Sequence, residues 1–125
     1  MKVMLEGNVI HGKGYGTKLG YPTINVPMNM DRDVPISRKL ADGIYAGSVL
    51  VKDQRYVAAC VIEPVASGQP RFVEAHLMGY SGDLYGQSVV VELVEYIRPF
   101  IFFESESDLI KQIQYDIKKI QEVMQ

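Results

Sequence analysis

Between positions 2 and 98 the chain alternates apolar and polar residues in short runs, the period-two pattern of strands with one face on a core. Residues 2–10, 21–26, 43–51, 55–62, 71–78 and 87–98 carry it. The run VKDQRYV predicts a hairpin turning at Asp53 and Gln54. EPVASGQP (63–70) and SGDLYG (81–86) read as loops, and residues 28–42 as a polar surface excursion. After Pro99 the period changes. Leu109, Ile113, Ile117, Ile120 and Met124 fall on one helical stripe, with Ser105 as N-cap and Asp108 three residues on. That stripe predicts a helix covering one side of the sheet. Six strands and one terminal helix predict a mainly β fold, a closed antiparallel barrel with a C-terminal helix, because closure removes exposed edges.

Composition narrows the setting. The 125 residues are expected to form a single domain, 1–125, and 47% of them are hydrophobic. No apolar run reaches membrane-spanning length, and MKVMLEG turns polar too soon for a secretion signal. The single cysteine, Cys60, sits among apolar strand residues, which predicts a buried thiol in a reduced, cytoplasmic compartment. A net charge of -2 and mixed signs along the chain argue against nucleic-acid binding. A small anionic ligand needs only a local positive patch. No membrane partner is expected, and the chain is expected to be a monomer.

Three stretches carry candidate chemistry. In GKGYGTKLG, the glycines at 12, 14, 16 and 20 let backbone N–H groups approach an anion, and Lys13 and Lys18 add charge. Neither the Walker spacing nor G-x-G-x-x-G is present, so a plain flexible connection remains an equal alternative. In PTIN, an extended backbone would put Thr23 and Asn25 on one face, a hydroxyl beside an amide carbonyl. Hard oxygen donors of that kind suit Mg2+ shared with phosphate oxygens, although both could simply bond a neighbouring loop. In RFVEAHLM, Val73, Ala75 and Leu77 should face the core, and Phe72, Glu74 and His76 the other side. Glu74 and His76 could then form an acid–base pair, or serve as a surface carboxylate and a structural histidine. No second histidine stands at zinc-ligand spacing, and no G-x-S-x-G nucleophile motif occurs.

In order, GNVIHG…LGYPTIN, DGIYAG, VEAHL, GDLYG and IRP…F-x-S-x-x-x-L…QI-x-x-DI resemble the riboflavin kinase family, from Gly7 to about Ile117. The resemblance implies a six-stranded barrel that moves the γ-phosphate of ATP to the terminal ribityl hydroxyl of riboflavin, giving FMN and ADP. By position it implies that Thr23 and Asn25 hold Mg2+ and ATP phosphates. Gly12, Gly14 and Gly16 would lie in the loop over the nucleotide, with Lys13 and Lys18 beside it. Glu74 would take the hydroxyl proton, and Arg98 and His76 would lie near the flavin. The chain departs from the family pattern at Tyr15, where an arginine is common, and in CVIEPVA, which lacks a usual glycine and threonine. RPFIFF is also more apolar than usual, and is expected to pack under the helix. No FAD-forming adenylyltransferase domain is seen in these residues. The alternatives are a flavin- or nucleotide-binding module of the same fold with impaired catalysis, and a barrel that binds another macromolecule.

Overall fold

The computed structural model describes residues 2–28 and 40–125. Among these residues six strands form one sheet: β1 (Val3–Asn8), β2 (Ile24–Pro27), β3 (Gly43–Val51), β4 (Gln54–Ile62), β5 (Phe72–Leu77) and β6 (Ser88–Arg98). Their order is β1-β6-β3-β4-β5-β2, antiparallel at every step. A single helical turn, α1 (Tyr15–Lys18), interrupts the glycine-rich stretch, and α2 (Glu106–Val123) follows β6.

Alternation decides which way each residue points. The inward faces meet as Leu5, Val26, Tyr45, Val49, Cys60, Val73, Val91 and Leu93, all no more than 2% exposed. Each such side chain stabilises the fold by about 1.5–3 kcal/mol on burial. Desolvation pushes the Cys60 thiol up to about 12, in keeping with an inert core residue.

The sheet curls until its two edge strands meet. There Ile10 N–H donates to the Asn25 carbonyl at 2.8 Å, an isolated bridge rather than a ladder. The barrel is therefore nearly closed, where full closure was expected. β2 is only four residues long, with Pro22 two residues ahead of it and Pro27 as its last residue, which leaves little backbone to pair with β1 once β5 has been satisfied. It begins at Ile24, later than its pattern suggests.

The hairpin turns at Lys52 and Asp53 instead of Asp53 and Gln54, because Gln54 already pairs with Val51. Lys52 takes the left-handed conformation that such a two-residue turn requires (φ 56). Most of the expected 28–42 excursion lies outside the described residues, and its flanks Met28 and Leu40 are buried in the core.

Ser105 caps α2 as expected, its hydroxyl accepting the Asp108 N–H at 3.3 Å. Only the far half of the apolar stripe docks: Ile120 is fully buried against Ile44 and Ala46 of β3, with Val57 and Ala59 of β4 alongside. Leu109, Ile113 and Ile117 instead face a cavity between helix and barrel. Among the described residues no helix is long and apolar enough to cross a membrane.

Candidate active site

The outward face of β2, β5 and β4 carries the site. Glu74 sits at its centre, opposite Asn25 on one side of β5 and Val61 on the other. Cross-strand partners of this kind stand about 4.5–5.5 Å apart at their β-carbons. Thr23, just ahead of β2, donates its hydroxyl to Glu74 Oε1 at 3.2 Å. Burial raises the Glu74 carboxyl above its ordinary value, and the charge of Glu63 adds to the rise. The Thr23 hydrogen bond and the Lys13 ammonium pull it partly back. The result is a half-buried, more basic carboxylate.

His76 points the same way but does not partner Glu74. Its Nδ1 lies 2.7 Å from the Pro22 carbonyl, which can only accept, so the proton is on Nδ1. Tyr21 packs edge-on against its ring, 5.7 Å between centroids. The acid–base pair is therefore not formed; His76 instead fastens the backbone that presents Thr23.

The glycine stretch contains one helical turn. Gly14 starts α1 in the left-handed conformation (φ 72), open to glycine at no steric cost. Gly12 lies directly against the Asn25 amide: a Cβ there would fall 2.1 Å from Nδ2. Lys13 reaches the site, whereas Lys18, on the exposed last turn of α1, lines neither of the cavities described next.

Two cavities, of about 460 and 290 Å³, meet around Glu74 and share Lys13, Asn25, Val61, Glu63 and Glu74. The larger is lined by Ala59 and Val61 of β4, by Tyr15, Tyr21 and α2, and by residues 100–103. The smaller is bounded by Ile10, His11, Gly12, Val65 and Phe72. His11 stacks on Tyr85, with centroids 3.7 Å apart and planes at 13°.

The apolar run after Pro99 does not pack under the helix, contrary to expectation. Phe102 is 80% exposed and Ile101 48%, with Phe100 set edge-on to Phe102 at 4.9 Å. Pro99 ends β6, and the helix is anchored beyond the run, so these residues arch along the cavity mouth. The anchor is Arg98. Its Nε lies 3.0 and 3.1 Å from the two Asp116 carboxylate oxygens, and Nη2 lies 2.7 Å from Oδ2. Gln112 adds a bond to Oδ1 at 2.9 Å. Arg98 lines the larger cavity, as does Asp116, but its guanidinium is turned to the helix.

The oxygen donors fit a hard divalent cation. Thr23 gives its proton to Glu74 and keeps its lone pairs, and the Asn25 amide and the Glu74 carboxylate stand alongside. Among the described residues no group of three or more His, Cys, Asp or Glu forms a metal cage. An ion held by so few side-chain oxygens keeps several waters and can share phosphate oxygens. Sequence reasoning passed over Glu63, the lining residues Ala59 and Val61, and Asp116. Alternation from Val61 would have reached Glu63. Asp116, one acid on the apolar stripe of α2, was itself a signal of a buried partner.

A flavokinase family model, described as riboflavin kinase, matches residues 1–124. The chain belongs to the riboflavin kinase family. It is 33% identical to human riboflavin kinase over 91% of its own length and 76% of that protein. It is 34% identical to a bifunctional riboflavin kinase/FMN adenylyltransferase from Buchnera aphidicola, covering 91% of this chain but 36% of the relative. The chain thus spans about a third of the bifunctional relatives it matches. Among solved structures, a macrolide-efflux protein from Streptococcus pneumoniae superposes with a TM-score of 0.80 at 28% identity, over 94% of this chain and 38% of that one. Riboflavin kinase from Trypanosoma brucei shares the fold, with a TM-score of 0.74 at 22% identity over 98% and 80% of the two chains.

Proposed function

We propose that this chain transfers the γ-phosphate of ATP to the terminal ribityl hydroxyl of riboflavin, giving FMN and ADP. The observation that carries the reading is the position of Glu74, a half-buried carboxylate tied to Thr23 and opposite Asn25, where two cavities meet. The larger cavity falls within the roughly 300–1,000 Å³ usual for small-molecule sites and is lined largely by apolar and aromatic side chains, which suits a planar ring. The smaller lies beneath the glycine stretch and takes the nucleotide.

In the transfer, Glu74 accepts the hydroxyl proton. The freed oxygen forms a bond to the γ-phosphorus as the bond to the β-phosphate oxygen breaks. Thr23 orients the carboxylate through its hydrogen bond. Gly12, Gly14 and Gly16 keep the backbone close to the phosphates, with Lys13 adding charge; Lys18 is left out of this assignment. Asn25 and Thr23 would hold Mg2+, which neutralises phosphate charge when bound. His76 and Arg98 act on the flavin side by holding the cavity walls in place.

Chromatography of FMN formed from riboflavin, ATP and Mg2+ tests the reading. Glu74→Gln should lower turnover by about 10²–10⁴-fold with little change in riboflavin affinity. Wild-type turnover in that variant would remove Glu74 from the mechanism, and absence of FMN from the wild type would reject the reaction.

A further inference from the structure

We propose that Glu63 makes the site discriminate between the neutral flavin polyol and its phosphate ester, by fixing a second negative charge where the two cavities meet. The proposal rests on the riboflavin kinase reading above. Glu63 directly follows β4 and lies two residues beyond Val61, the neighbour of Glu74 in the ladder. It lines both cavities, as do Glu74, Asn25 and Lys13. Its charge is felt at the Glu74 carboxyl. Glu63 is exposed, and among the described residues it makes no hydrogen bond or ion pair, so its carboxylate is free to face an incoming ligand.

The charged groups facing the junction are Lys13, Glu63 and Glu74: one ammonium against two carboxylates. An uncharged ribityl hydroxyl enters this field without a Coulombic penalty. A phosphate monoester brings a charge of about -1.5 to -2 and is repelled by the surplus carboxylate. The ester is the product, so the repulsion favours its departure and keeps phosphorylated flavins from occupying the site. The nucleotide escapes the same penalty because a triphosphate arrives with a divalent cation.

Quenching of flavin fluorescence gives dissociation constants for riboflavin and FMN on the intact chain, without nucleotide or divalent metal. Glu63→Gln should tighten FMN by about three- to tenfold while riboflavin stays within about twofold. That gain should shrink as salt is added, and Glu63→Asp should keep the wild-type ratio. Equal shifts for both flavins, or an unmoved FMN constant, would overturn the proposal. A wild type that binds no riboflavin would remove the kinase reading and this inference with it. Riboflavin binding with an unmoved ratio removes only the inference.

Discussion

Replacing Asp116 by alanine strips α2 of its polar anchor to the barrel. Asp116 accepts three contacts from Arg98 and one from Gln112, and the Arg98 and Asp116 side chains are only 16% and 6% exposed. Cutting one partner from a fully buried ion pair costs about 3–5 kcal/mol, mostly because the other charge is left unpaired. Arg98 keeps its Nη1 bond to the Pro99 carbonyl at 3.0 Å and some access to water. The expected loss is therefore smaller, about 2–4 kcal/mol. Asp116→Asn keeps one acceptor oxygen and should lose about half as much. Urea unfolding reads this directly, as a midpoint lowered by about 1–2 M with little change in slope. The double variant Arg98→Met, Asp116→Leu removes both charges and should recover most of the loss. An Asp116→Ala chain within about 0.5 kcal/mol of wild type would refute the anchor, since that is the scatter of ordinary surface changes.

Gly12→Ala puts a methyl into the Asn25 amide, 2.1 Å from Nδ2, and should raise the KM for ATP at least about tenfold while the melting temperature barely moves. An unchanged KM would show that the glycine stretch does not need this close approach. The raised Glu74 carboxyl favours the fold in its protonated form. Its contribution is complete below the unfolded value of 4.5 and is lost as pH rises through the higher folded value. Glu74→Gln should accordingly melt above wild type at neutral pH, with the gap closing under acid; a lower melting temperature at neutral pH would contradict the assignment. Cys60 should not react with an aromatic disulfide reagent until the chain unfolds, so rapid labelling of the folded protein would contradict its burial.

Much of this arrangement is legible residue by residue. The alternation of RFVEAHLM aims Glu74 outward, and Ser105 marks the start of α2, because both depend on local periodicity and capping alone. What failed depended on distant partners. His76 left Glu74 for the Pro22 carbonyl, a contact spanning the β2–β5 pairing that no local pattern encodes. RPFIFF stayed at the cavity mouth because the Arg98–Asp116 pair positions the helix elsewhere. The seam between β1 and β2 is a single bridge because β2 is so short, an effect that appears only once the sheet order is known.

Strand β5 shows how closely the core and the chemistry are tied. Val73 and Ala75 are fully buried, while Glu74 between them faces the cavities. Sliding β5 by one residue against β2 and β4 would drive the carboxylate into the core and present valine or alanine where the proposed transfer needs a proton acceptor. The hydrophobic burial that forbids this slip is thus also what aims Glu74 at the cavities. Fidelity of pairing and fidelity of reaction become one constraint, because a misregistered barrel would lose its core and the outward aim of Glu74 together.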